Sequence, residues 1–314
     1  MAQPANTFSQ YDSVGNREDL SDMIYLVDPT ETPGLSNFAH IEATSVNHEW
    51  QTQALASASG TNTVIEGDDA TTDAVTATVR LGNRCQISDK VARVTGTQEA
   101  IKKAGRANEM AFQLVLKGLE LKRDMETSLF ANNAKVTGDD STARELAGVP
   151  AWIFTNDVLD SGGSSPTGDG TDARTDGTQR AFTEAQLKEA IGLAWDSGGQ
   201  PDMVMLGRFN KQVSSGFTGR GTPQSNVDTK KIIAAADWYD SDFGLLAIVP
   251  NRFSRSRDAH VMQKDLWKIA YLRDFQTREL ARTGDSDRRQ IIVEYTLQSS
   301  NEKGSAGVYD LTTS

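Results

Sequence analysis

Residues 44–84 read as two alternating strands joined by a long acidic tip. Val46, His48, Trp50, Thr52 and Ala54 alternate along the first limb; Val75, Ala77, Val79 and Leu81 alternate along the second. Alternation of this kind marks strands with two unlike faces. Between them, Gly60–Asp73 carries Glu66, Asp68, Asp69 and Asp73 and no basic residue. A two-stranded ribbon of this length has no face to bury on itself and is marginal alone. It needs another surface, and a second copy of the chain can supply one. The feature therefore directs attention to assembly before any pocket.

The remaining chain is read around that ribbon. Residues 1–42 resemble an extended arm punctuated by Pro4, Gly15, Pro29, Pro33 and Gly34, with a short helix near Glu18–Leu26, where Leu20, Met23, Ile24 and Val27 share a face. Gln86–Val94 continues as a strand. Thr97 opens a helical pattern to about Asn132, with Met110, Leu114, Gly118, Leu121, Met125 and Leu129 at three-or-four spacing. Read as one rod, it is about 50 Å long. Trp152–Phe154 reads as a short strand, and residues 160–178, rich in Gly, Ser, Thr and Asp, as a surface loop or a partly mobile insert. Few apolar side chains could hold that loop, so deletion of Gly162–Thr175 is expected to leave assembly intact.

A compact α/β unit follows. Thr183 and Gln186 form a capping box ahead of Leu187, Ala190, Ile191, Ala194 and Trp195. Met203–Leu206 and Ala247–Pro250 read as buried strands, Asn210–Ser215 as a helix and 216–228 as a polar loop. Trp267–Leu272, Ile291–Leu297 and Val308–Leu311 then close the chain as strands beside the long helix. The fold class is α+β, with the α/β unit inserted in a larger domain.

Composition narrows the function. The 314 residues, 37% apolar, bury a sizeable core, and no run approaches the roughly 18 apolar residues of a membrane span. The N-terminus lacks a basic stretch ahead of an apolar block, so no secretory signal is expected. The net charge is −11, and the first 42 residues hold seven acids against Arg17 alone. A tail that grips nucleic acid by neutralising phosphates is not expected, although DNA can be enclosed without being gripped. Cys85 is the only cysteine and reads as a buried structural thiol.

Catalytic patterns are missing. His40, His48 and His260 stand singly, without the i, i+4 partner of a zinc helix. No phosphate-binding glycine loop, dinucleotide fingerprint or nucleophile elbow occurs. Asp169, Asp172 and Asp176 do not have the spacing of a calcium loop and read as turn chemistry. Asp68-Asp69 sits on a hairpin tip, the opposite of the partly dry cleft that paired catalytic carboxylates need. The five tryptophans are spread along the chain as core or interface anchors. No enzyme activity, cofactor or metal is expected.

Three stretches carry a family resemblance: Thr7–Phe38 (TFSQYDSVGNREDLSDMIYLVDPTETPGLSNF), Val91–Glu126 (VARVTGTQEAIKKAGRANEMAFQLVLKGLELKRDME) and Leu272–Leu297 (LRDFQTRELARTGDSDRRQIIVEYTL). Together they resemble the major head proteins of tailed bacteriophages, a branch of the Hong Kong ninety-seven capsid fold. The resemblance implies an N-arm (1–42), an extended loop (43–92), a peripheral domain with a spine helix (93–155), an axial domain (156–265) and a return to the peripheral domain (266–314). It implies hexamers and pentamers in an icosahedral shell around double-stranded DNA, portal and scaffold proteins as partners, no membrane, and assembly in the host cytoplasm. An encapsulin-type compartment of the same fold is the alternative, and a soluble hydrolase or calcium-binding adhesin a remote one. In the family the ribbon lies across an adjacent subunit. The tip acids Glu66, Asp68, Asp69 and Asp73 are therefore expected to meet basic residues there: Lys102, Lys103 and Arg106 on the first turns of the helix, or Arg282, Arg288 and Arg289 near the closing strands.

Overall fold

The computed structural model describes residues 28–70, 72–217 and 237–314. The short helix expected at Glu18–Leu26 and most of the polar loop at 216–228 lie outside them. A five-residue helix α1 (Pro33–Asn37) leads into strand β1 (Ala39–Glu42). Strands β2 (Asn47–Thr52) and β3 (Val79–Arg84) pair antiparallel from Asn47↔Arg84 to Thr52↔Val79. The ladder stops there, and the alternation at Val75 and Ala77 forms no strand.

Strand β4 (Gln86–Thr95) runs as the sequence indicates, but the expected single rod is broken. A short helix α2 (Gly96–Ala100) ends at Ile101, and helix α3 (Glu109–Leu129) starts afresh. Gly105 in the break has φ +72, a left-handed conformation that costs glycine little. Asn108 caps α3 by accepting the Ala111 N–H at 2.7 Å. The 21-residue α3 is about 30 Å long.

No strand forms at Trp152–Phe154. A 3-10 turn at Val149–Ala151 places Trp152 in the core, and the strand, β5, is Asp157–Val158. Helix α4 (Glu184–Asp196) has both hydrogen bonds of the capping box. Strand β6 (Met203–Leu206), helix α5 (Arg208–Ser214), and strands β7 (Trp238–Ser241), β8 (Gly244–Pro250) and β9 (Ala259–Met262) follow. Strands β10 (Trp267–Leu280) and β11 (Ser286–Ser299) form a long hairpin, twice the expected reach, and β12 (Ala306–Val308) comes last.

These strands make a four-stranded sheet, β1-β10-β11-β4, and a six-stranded sheet, β5-β12-β9-β6-β8-β7. The last strand departs from expectation. It pairs with β9 and β5, not beside the long helix, because its backbone completes the ladder Ala306↔Val261 to Val308↔Ala259. One core joins Leu121, Met125 and Leu129 of α3 to Trp267, Val293 and Leu297 of the four-stranded sheet. A second packs Leu187, Ala190, Ile191 and Ala194 of α4 on the six-stranded sheet. Burial of each Leu or Ile there contributes about 1.5–3 kcal/mol.

Candidate assembly surfaces

The hairpin is riveted at its base and free at its tip. Fully buried Asn83 on β3 donates from Nδ2 to the carbonyls of Ala147 (3.1 Å) and Leu297 (2.8 Å), and its Oδ1 accepts the Ala147 N–H at 2.9 Å. Lys135 Nζ donates to the Gly82 carbonyl at 2.8 Å, and the Trp50 ring lies 5.2 Å from Trp152. Beyond Thr52 the support ends. Leu55 is 97% exposed, Val75 94%, Val64 86% and Ile65 79%. A segment that exposes several large apolar side chains is a candidate interaction surface.

The four tip acids are exposed around these apolar residues. Asp68 Oδ1 accepts only the neighbouring Asp69 N–H, at 3.0 Å. Within the described chain no hydrogen bond or ion pair joins them to any of the six expected basic partners. Those six are not alike. Lys102, Lys103 and Arg106 lie in the break before α3 and not on its first turns. Lys103 donates to the Glu99 carbonyl at 2.9 Å and sits 3.7 Å from its carboxylate; Arg106 is bonded to Glu109. Arg282 pairs with Asp287 at 2.5 Å, Arg289 with Glu279 at 2.9 Å, and Arg288 donates to the Ala281 carbonyl at 2.7 Å. Of the six, Lys102 alone is exposed with no ion pair or hydrogen bond among the described residues.

Sequence reasoning missed the groups that hold the surfaces in place. Glu126 on α3 is fully buried; its carboxylate accepts the Gly34 N–H (2.7 Å), the Leu35 N–H (2.9 Å) and Asn251 Nδ2 (2.7 Å). Burial pushes its carboxyl above the ordinary range, and the Leu35 and Gly34 N–H groups pull it back. The contact requires glycine at 34, where a Cβ would meet Phe130 at 2.5 Å. A glutamate between Met125 and Leu129 on an apolar helix face was the available signal. Glu294, on the face of β11, joins Arg144 and Arg273, each at 2.7 Å.

The segment 160–178 is not the loose loop its composition indicates. Arg174 is buried, donates to the Ile153 carbonyl at 2.8 Å, lies 3.3 Å from the Asp157 carboxylate, and stacks 3.2 Å from the Tyr309 ring centroid. Asp310, at φ +62, accepts the Gly177 N–H at 2.6 Å and pairs with Arg257 at 2.9 Å. Asp176 pairs with Arg255 (2.6 Å) and Arg257 (3.2 Å), while Asp169 and Asp172 accept hydrogen bonds from Thr167 and Thr171. Beside this network, Asp258 is fully buried 3.2 Å from Arg255, and burial raises its carboxyl to about 6. His260 is fully buried between Phe130 and Tyr309, and burial lowers its imidazole to about 3. Burial likewise raises the Cys85 thiol to about 11.

A protruding ribbon anchored at one end, a rod under a four-stranded sheet, and a second sheet domain define a phage capsid subunit of the Hong Kong ninety-seven type. Solved structures share that fold. The cyanophage A-1(L) capsid subunit matches with a TM-score of 0.68 at 12% identity, covering 95% of this chain and 98% of that one. A subunit from the capsid of a native GTA particle matches at 0.64 and 8% identity, covering 96% and 98%. The chain belongs to the SU10 major capsid protein family, whose model matches residues 4–312. The major capsid protein of Escherichia phage Phieco32 is 26% identical over 345 aligned positions, covering 98% of both chains.

Proposed function

We propose that this chain is a purely structural subunit that self-assembles, as hexamers and pentamers, into the icosahedral shell of a tailed phage enclosing double-stranded DNA. The observation that carries the reading is the hairpin, whose base is hydrogen-bonded into the fold while Leu55, Val64, Ile65 and Val75 stand in solvent. Such a surface becomes stabilising when a second copy covers it, at about 25 cal/mol per Å² of apolar area. The family match and its phage relatives favour a virion shell over a cargo compartment.

On this reading residues 1–42 are the N-arm, 43–92 the extended loop, and the four-stranded sheet with α3 the peripheral domain. The axial domain is 156–265 together with the returning strand β12. Portal and scaffold proteins are the partners during assembly in the host cytoplasm. DNA is contained without sequence-specific contacts, in keeping with the net charge of −11. Of the six basic candidates for the acidic tip, Lys102 is the one whose charge is uncommitted; the other five would first have to leave partners in their own chain. Electron micrographs of the purified protein, with scaffold supplied, test the proposal. Closed shells of uniform size are expected, and a species that stays monomeric at high concentration overturns it.

A further inference from the structure

The outer half of the four-stranded sheet is closed by α3 on one face and open on the other. Ala92 and Val94 of β4 pack against Met110 and Leu114 of α3. Their neighbours Val91 and Arg93 point the opposite way, and both are exposed. Across the strands, Arg93 stands opposite Arg288 and Leu280, and Val91 stands opposite Gln290 and Arg278. Two adjacent rows thus bring Arg93, Arg278 and Arg288 onto the open face. Among the described residues each of the three bonds only to neutral oxygens. Arg93 donates to Ser286 Oγ at 2.9 Å and to the Thr283 carbonyl at 3.3 Å, Arg278 to Gln276 Oε1 at 3.1 Å, and Arg288 to the Ala281 carbonyl at 2.7 Å. Asp89, the carboxylate in the next row, accepts instead from Gln290 Nε2 at 2.6 Å. Like charges directly opposite across strands are destabilising. On a chain of net charge −11, this face holds positive charge that nothing in the described chain neutralises. Ile87 and Val91, 44% and 43% exposed, add apolar surface along the same edge strand.

We propose that this open face, through Arg93 and Arg278, is the seat of the acidic hairpin tip of a second copy of the chain. The inference rests on the shell reading and names the surface that the hairpin covers. The two surfaces are complementary in charge and in apolar character. Glu66, Asp68, Asp69 and Asp73 bring four carboxylates to the arginines, and Val64 and Ile65 accompany them as Ile87 and Val91 accompany the arginines. The tip has the reach, since residues 53–78 make two limbs of about 13 residues, roughly 40 Å if extended. Lys102 lies at the same end of the sheet, seven residues beyond Thr95 and therefore at most about 25 Å from it. Tip and open face are different surfaces of one chain, so the contact is head-to-tail, and repeated around an axis it closes a ring.

Charge reversal and cross-linking test it. Arg93→Glu with Arg278→Glu is expected to abolish closed shells in micrographs while the subunit melts as the parent does, because both side chains are exposed. Adding Asp68→Lys and Asp69→Lys to that variant is expected to restore shells. In shells that keep all these charges, Ile65→Cys with Val91→Cys is expected to give covalent multimers on a denaturing gel after treatment with a short bis-maleimide linker. The control, Ile65→Cys with Trp238→Cys, has its second site exposed on the six-stranded sheet and is expected to stay monomeric. Native Cys85 is fully buried and does not compete. Normal shells from the arginine reversal, no restoration by the charge swap, or no more multimer from the Val91 pair than from the control each overturns the inference and leaves the capsid reading standing. A parent chain that forms no shells overturns the capsid reading, and this inference with it.

Discussion

The hairpin tip at 53–78 and the segment at 160–178 are both rich in Thr and Asp, and they have opposite fates. The segment at 160–178 finds partners in its own chain: Arg174 enters the core against Tyr309 and Asp157, and Asp310 reaches back to the Gly177 N–H. Among its described residues the tip finds none beyond Gln53 Nε2 to the Thr76 carbonyl, Thr78 Oγ1 to Gln51 Oε1, and a few bonds between close neighbours. It exposes Leu55 and Val75 almost completely. Polar composition therefore does not mark a loop as dispensable. What decides is whether each polar group meets a buried counterpart in the same chain or waits for one on another.

The contrast is broken most forcefully at Arg174. Arg174→Ala leaves Asp157 without its buried cation and strips the face of Tyr309, and removal of one partner of a buried pair costs about 3–5 kcal/mol. Deletion of Gly162–Thr175, which takes Arg174 with it, is expected to cost at least as much, reversing the expectation from composition. Calorimetry reads both as a large fall in melting temperature. A deletion that melts like the parent would place this segment in the same class as the tip.

Glu126→Ala is the next largest. It orphans the Gly34 and Leu35 N–H groups and the Asn251 amide, each buried donor costing about 1–3 kcal/mol when unpaired. Melting should fall, and amides at 34 and 35 should lose protection from hydrogen exchange. Glu126→Gln, which keeps one acceptor, should recover part of the loss.

Asp258 and His260 sharpen the comparison through pH. Asp258 is raised from its ordinary 3.8 to about 6, so its contribution is full below pH 3.8 and fades as pH rises through 6. His260 is lowered from 6.5 to about 3, so its contribution is full above pH 6.5 and fades as pH falls toward 3. Between pH 4 and 6 the two slopes oppose. Asp258→Asn should leave stability rising with pH across that window, and His260→Gln should leave it falling, each by at most about 1.4 kcal/mol per pH unit. Melting curves at half-unit intervals check the signs.

The tip gives the smallest effect on folding. Asp68→Lys with Asp69→Lys, or Val64→Asp with Ile65→Asp, should change subunit stability by no more than about 0.5 kcal/mol, as for exposed sites generally. Both should impair shell formation in micrographs, and for the charge reversal Lys102→Glu should restore it. Normal shells from the reversal alone would remove the acids from the determinants of assembly.

Much of the fold is legible wherever a local pattern states its own solution. Strands β6 and β8 declare themselves by apolar runs, and α4 by Thr183 and Gln186. The break before α3 was missed although the three-or-four spacing begins only at Met110, Asn108 ahead of Glu109 was a start signal, and Gly105 allowed the turn. The outer half of the β10–β11 ribbon hid because Arg278, Glu279, Arg288 and Arg289 alternate without an apolar face. The sheet chosen by β12 rests on a ladder to β9, which no window around Val308 contains. The assembly surface was half legible. The acidic tip was plain, but whether each basic candidate was free depended on neighbours such as Asp287 and Glu279, and on Glu99 and Glu109 across the broken helix.

Hydrogen exchange, followed in the isolated subunit and again in the assembled shell, measures the difference between the two regions directly. Backbone amides of 160–178 should be protected in both states. Those of 53–78 should exchange freely in the subunit and become protected in the shell, where a second copy covers Val64 and Ile65. A tip that exchanges equally fast in both states, or a segment at 160–178 as unprotected as the tip in the isolated subunit, would contradict this picture of the molecule.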